Sequence, residues 1–164
     1  LFDTIPNLIR KNKKILFLFI GEGDLKDILI KKVEKLKISQ NIKFLGQKPH
    51  HELPYYMNAA DIYILPSLAE GMPNNVLEAM ASGLAIISTD VGGVKDFIIN
   101  EKNGLLIKPK SSKEIEEKIN FLLKNQNYIK KFRLRARKDL LSKKISWENC
   151  AENYIKIYES ILKK

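Results

Sequence analysis

The chain has 164 residues and a formal net charge of +10, with 45% apolar and 29% charged side chains. That length suits one domain able to bury a sizeable core, and the composition is ordinary for a globular protein, which excludes a disordered or collagen-like chain. The longest apolar run, residues 15–20, is far too short to span a bilayer; a lone cysteine, Cys150, excludes an internal disulfide framework and fits a reducing, cytoplasmic compartment.

Residues 2–12 read as the end of a helix, and residues 14–20 as a continuous apolar strand. Gly21-Glu22-Gly23-Asp24 is a turn, with Asp24 placed to cap the next helix, whose Leu25, Leu29, Val33 and Leu36 recur at helical spacing. Residues 42–46 form the second strand. Residues 50–59 form a helix that tolerates Pro54 only in its first turn. A strand at 61–65 ends at Pro66, a helix covers about 74–82, and a strand follows at 85–88. Val91-Gly92-Gly93 is a turn into a short helix near Val94, and residues 104–107 form one more strand before Pro109. The rest is helical, at about 112–125, 127–142 and 146–162. The last helix carries Trp147, Cys150, Tyr154, Tyr158 and Ile161 as a stripe, so Cys150 is expected to pack rather than react.

Apolar strands alternating with helices predict an α/β domain: a doubly wound, Rossmann-like parallel sheet covered on both faces, with extra C-terminal helices. Ligands of such sheets bind at the carboxyl ends of the strands. No strand precedes the first helix, so the expectation is either a truncated chain or a sheet incomplete by one strand. The first residues show no charged start, apolar stretch and cleavage site, so no secretory leader is read.

Lysines cluster at 11–14, 31–37, 130–138, 143–144 and 163–164. Solvated helix faces account for these clusters. The basic residues are spread over several helices without a nucleic-acid-binding motif, so no nucleic-acid partner is expected. Peripheral contact with the inner face of a membrane is the reading they leave open.

The chemistry concentrates in "PSLAEGMPNNVLEAMASG", residues 66–83. A helix start near Asn74 leaves the amides of Asn74, Asn75 and Val76 free, along a dipole that favours an anion. Gly71 lets backbone approach a ligand closely. Glu78, about one turn into the helix, suits hydrogen bonds from ribose-like hydroxyls, and Glu70 suits hydroxyls on the loop side. Ala79, Ala81 and Gly83 make one side of the helix small for packing on the sheet. An anion cradle between two hydroxyl-binding carboxylates matches the layout of a sugar nucleotide.

"EGMPNNVLEAMASGLAIISTDVGGVKDFI", preceded by "ADIYILPS", resembles the nucleotide-sugar-binding half of the retaining, GT-B-fold family 4 glycosyltransferases. "LFLFIGEGDL", "IKFLGQKPHHEL", "NGLLIKP" and "SWENCAENYIKIYESIL" extend the resemblance over nearly the whole chain. It implies that residues 1–164 are a C-terminal donor-binding domain whose parent transfers a hexose or derivative from a UDP- or GDP-linked sugar to an acceptor hydroxyl, in surface polysaccharide, lipopolysaccharide or glycolipid synthesis. Glu70 would contact the donor hexose and act in catalysis. Gly71, Met72 and Pro73 would line the hexose, the amides near Asn74, Asn75 and Val76 would hold the diphosphate, and Glu78 would bind the ribose. Gln47 and Lys48 would meet the base, with Gly21 at the edge of the donor site.

The family's Arg and Lys, which neutralise the departing diphosphate, have no counterpart here, nor has its N-terminal acceptor domain. The chain alone is therefore expected to bind donor weakly and to catalyse nothing. In such enzymes the C-terminal segment often crosses back to the N-terminal domain, so the apolar stripe of the last helix is expected either to be partly exposed or to fold back. No cofactor is expected. No Asp-x-Asp motif offers a metal site, and His50 and His51, being adjacent, do not share a helix face. Three rivals remain. A dinucleotide oxidoreductase is weakened by Lys26, where the fingerprint needs its third glycine. A sugar-nucleotide epimerase would share the architecture, and a non-catalytic nucleotide-binding module would share the donor grip.

Overall fold

The computed structural model describes residues 1–143 and 145–162, without the Trp147 side chain. In chain order the elements are α1 (Ile5–Lys11), β1 (Phe17–Ile20), α2 (Lys26–Lys35), β2 (Ile42–Gly46), α3 (Leu53–Ala59), β3 (Ile62–Leu65), α4 (Asn74–Ala81), β4 (Ala85–Thr89), β5 (Leu105–Ile107), α5 (Ser112–Lys124), α6 (Gln126–Ser142) and α7 (Trp147–Leu162). Short 3₁₀ turns cover Ser39–Asn41, His50–Glu52 and Gly92–Asp96.

All strand pairs are parallel, but the hydrogen-bonded sheet is split into β1–β2 and β3–β4–β5. The expected α/β architecture with parallel strands is present, but among the described residues the sheet is in two pieces, and β1 and β3 do not pair with each other. Period-2 alternation covers both faces of β4. Ala85 and Ile87 join Leu8, Ile119 and Phe132 in one core, while Ile86 joins Val76, Met80 and Leu140 in the other.

Three local expectations change. The first strand is shorter than 14–20, running from Phe17 to Ile20, and Leu16 before it and Ile20 at its end are exposed. Asp24 does not cap α2, which starts from Leu25 with no side-chain cap, and of the predicted stripe only Val33 is buried. The helix at 50–59 is a 3₁₀ turn followed by α3, with Pro54 in the first turn of α3 as expected. The Asn41 side chain ties the two halves of the β1–β2 unit together, donating to the carbonyls of Lys13 (2.9 Å) and Ile15 (2.7 Å).

The expected packing of Cys150 does not occur; it is exposed, as are Tyr154, Ile157, Tyr158 and Ile161 of α7. That is the exposed alternative for the last helix. The part of the stripe carried by the Trp147 side chain, and the lysines at 144 and 163–164, lie outside the described residues.

Candidate functional site

The 66–83 segment leaves β3 at the carboxyl end of the sheet and enters α4. Two devices hold it. Thr89, at the end of β4, donates its hydroxyl to the Ser67 carbonyl at 2.7 Å, and Ser67 in turn donates its hydroxyl to Glu70 Oε1 at 2.6 Å. A chain of two hydroxyls thus orients the Glu70 carboxylate from a fully buried strand. On the other side the Gly92-Gly93 turn closes against the motif, the Gly93 amide donating to the Gly71 carbonyl at 3.1 Å. Gly92 has φ +51°, and a Cβ there would overlap the Glu70 carbonyl; a Cβ on Gly93 would stand 2.7 Å from the Gly71 carbonyl oxygen. The two glycines let two loops share one space.

The structure brings Glu70, Gly71, Met72, Pro73, Asn74, Asn75, Val76 and Glu78 into one turn and helix start. Gly71, Met72, Asn74 and Asn75 are exposed, Glu70 and Glu78 are half-buried, and Pro73 and Val76 are buried. The cradle is narrower than predicted. The Asn74 amide donates to the Met72 carbonyl and the Val76 amide to the Pro73 carbonyl, both at 2.9 Å, because the first turn of α4 is tightened to i→i−2 and i→i−3 bonds. Of the three, only the Asn75 amide has no hydrogen-bond partner among the described residues. Ala79 packs in the core, but Ala81, two residues on and so on another side of the helix, is exposed.

Gly21, Gln47 and Lys48 lie at the same end of the sheet, on the loops after β1 and β2. The Gly21 amide donates to the Gly46 carbonyl at 2.8 Å, and Gly21 has φ +125°. Lys26, 2.8 Å from Glu22, holds that carboxylate below its usual range, with a smaller contribution from the Gln47 backbone. The Lys48 ammonium sits 5.8 Å from the centre of the Tyr56 ring.

Two residues join the site that the motif did not announce. His50 Nε2 lies 3.0 Å from Glu78 Oε1, so the turn after β2 reaches across to α4. Tyr63 of β3 lies close enough to feel the charges of both glutamates. Burial pushes its phenol up to about 12, the negative charges of Glu70 and then Glu78 add to this, and the Asn75 side chain offsets part of it. Strand alternation pointed to Tyr63: with Leu65 it faces the α4 side, while Ile62 and Ile64 face the other core. Nothing comparable pointed to His50, whose partner is 28 positions away.

The family model for group 1 glycosyl transferases matches residues 1–139. The chain belongs to the group 1 glycosyltransferase family. It is 33% identical over 124 residues to the N,N'-diacetylbacillosaminyl-diphospho-undecaprenol alpha-1,3-N-acetylgalactosaminyltransferase of Campylobacter jejuni, covering 74% of this chain and 31% of that one. The C-terminal domain of a group 1 family glycosyl transferase from Francisella tularensis superposes with a TM-score of 0.80 at 29% identity, over 87% of this chain and 76% of that one. At 20% identity the Anabaena HepE protein, crystallised with UDP-glucose, shares the fold with a TM-score of 0.86, over 98% of this chain and 44% of that one. The fold is that of a GT-B C-terminal domain. The chain spans 40% or less of the length of curated relatives such as these.

Proposed function

We propose that this glycosyltransferase domain holds the donor of a larger retaining enzyme, which moves a hexose or derivative from a nucleoside diphosphate to an acceptor hydroxyl. The observation that carries the reading is the placement of Glu70 and Glu78 on either side of the Gly71–Asn75 turn, braced by Thr89, Ser67 and the Gly92-Gly93 turn. Glu70, fixed by Ser67, accepts hydrogen bonds from hexose hydroxyls and stands beside the reacting sugar. Glu78 accepts from ribose hydroxyls. The Asn75 amide and the positive end of α4 face the diphosphate, where negative charge grows as the sugar leaves, and a fixed dipole stabilises that charge without reorganising. Gln47 and Lys48 border the base, with Gly21 at the rim.

A uridine nucleotide is the donor favoured by the likeness to a fold neighbour crystallised with UDP-glucose. A polyprenol-linked or polysaccharide acceptor at the inner face of a membrane is favoured by the relative named for a diphospho-undecaprenol substrate. A further acceptor-binding domain completes the enzyme, and the chain alone binds donor weakly and does not turn it over.

Calorimetric titration with UDP-glucose, GDP-mannose and NAD tests the reading. UDP or GDP sugars are expected to bind. Glu78→Ala weakens binding by at least roughly tenfold, the scale of a lost hydrogen bond to a charged group. Glu70→Ala instead narrows the difference between donor sugars sharing one nucleotide. Binding of NAD alone, or donor binding untouched in both variants, overturns it.

A further inference from the structure

The two faces of α6 differ sharply. Its inner face buries Ile129, Phe132, Ala136 and Leu140. Its outer face presents Lys130, Leu134, Arg137, Lys138 and Leu141, at offsets of 4, 7, 8 and 11 residues from the first, which is one stripe on a helix. Leu134 is 77% exposed and Leu141 69%. The helix carries six Lys and Arg against one acid, Asp139. That acid turns inward, 2.8 Å from Arg135 and accepting from Asn103 at 3.0 Å. Among the described residues Lys130, Arg137 and Lys138 form no ion pair, so the stripe keeps its positive charge. Beside it lies an open hollow of about 560 Å³ between the stripe and Ser82-Gly83.

Leu134 and Leu141, two turns apart on one face and set among unpaired cations, make a single amphipathic stripe. A face for single-stranded nucleic acid would pair such cations with aromatic side chains for stacking, and this stripe has none, while a duplex backbone held by cations gives exposed leucines nothing to enter. Leucines set among long cationic side chains suit a helix lying in a lipid interface, where the apolar tips enter the acyl boundary and the charges reach the headgroups. We infer that the outer face of α6 docks on an anionic lipid surface, seating a phospholipid headgroup in the hollow beside Arg137 and Lys138. The hollow meets α4 at its C-terminal end, Ser82-Gly83, whereas the glutamate cradle sits at the N-terminal end. Docking therefore leaves the cradle uncovered, and the inference stands independently of the donor assigned above.

Co-sedimentation with vesicles tests it at 0.1 M salt. The chain is expected to bind phosphatidylcholine vesicles containing a quarter phosphatidylglycerol at least tenfold better than pure phosphatidylcholine, and to be released at 0.5 M salt. Leu134→Ser/Leu141→Ser, which keeps the net charge, lowers binding at least fivefold. Arg137→Glu/Lys138→Glu abolishes it, whereas Lys13→Glu/Lys14→Glu, an equal charge change elsewhere, leaves most of it. Circular dichroism confirms that each variant is folded. The proposal is overturned if the anionic vesicles do not bind, or if both charge pairs act alike and the leucine pair does nothing. It is overturned too if Ile157→Ser/Tyr158→Ser on α7 abolishes binding while the α6 variants do not, or if duplex DNA binds more tightly than the vesicles and loses affinity with the same α6 variants.

Discussion

β1 is apolar throughout and β4 ends in Ser88 and Thr89, yet it is β4 that lies in the core. Every residue of β4 is buried, with β3 on one edge, β5 on the other and a core on each face. β1 pairs only with β2, and its exit residue Ile20 is 38% exposed. The α2 helix beside it buries Val33 alone. Apolar composition thus does not decide burial, since Ser88 and Thr89 are buried in β4 while Ile20 is exposed in β1; neighbours on both edges and both faces decide it. The consequence is functional. The proposed sugar and diphosphate contacts hang from fully buried β4, through Thr89 and Ser67, while the proposed base contacts hang from the half-buried β1–β2 unit. The contrast breaks if Ile87→Ala and Ile20→Ala cost the same. Ile87 is fully buried, so its truncation is expected to cost about 4 kcal/mol, against under about 1 kcal/mol for Ile20, read from urea unfolding midpoints.

Glycines sharpen the same comparison. Gly92 combines φ +51° with a Cβ position that overlaps the Glu70 carbonyl, while nothing lies within 4 Å of a Cβ built on Gly23. Gly92→Ala has to displace the backbone that carries Glu70, so a loss of about 3 kcal/mol and of donor affinity is expected. Gly23→Ala should stay within about 0.5 kcal/mol. A folded, donor-binding Gly92→Ala protein with wild-type stability would show that the two loops are not pressed together.

Legibility in the sequence followed the range of the interaction. The strands at 42–46 and 85–88 and the three C-terminal helices were readable because apolar period and turn residues are local signals. The cap of α5, where the Ser111 hydroxyl accepts from the Glu114 amide, is a local signal of the same kind that the sequence reading did not single out. Asp24 misled because the turn closes through Lys26 and Gly23, leaving Leu25, not Asp24, at the helix edge. The Glu70–Glu78 frame was legible as a motif. Its narrow amide cradle was not, since the tight first turn of α4 follows from Pro73 and the abutting glycines. The His50–Glu78 contact depends on where two distant loops meet, which no local pattern encodes.

Tyr63 offers the smallest effect, and it probes whether the burial of β4 extends to β3. Its phenol is pushed up to about 12 in the folded chain, first by burial and then by Glu70 and Glu78, whereas an unfolded tyrosine titrates near about 10. The folded state therefore keeps a proton that the unfolded state gives up. The stability this provides is whole below about pH 10 and is lost as pH climbs from about 10 towards about 12. The full shift corresponds to about 2 kcal/mol once the open edge of the ring is allowed for. Between pH 9 and pH 11 the wild type should lose about 1 kcal/mol more unfolding free energy than Tyr63→Phe, which has no proton to keep. Parallel pH slopes for the two proteins would mean that Tyr63 is solvated. A steeper wild-type slope would instead mean that the phenol stays protonated and shielded from water well above about pH 10, beside the two carboxylates whose charge raises its pKa.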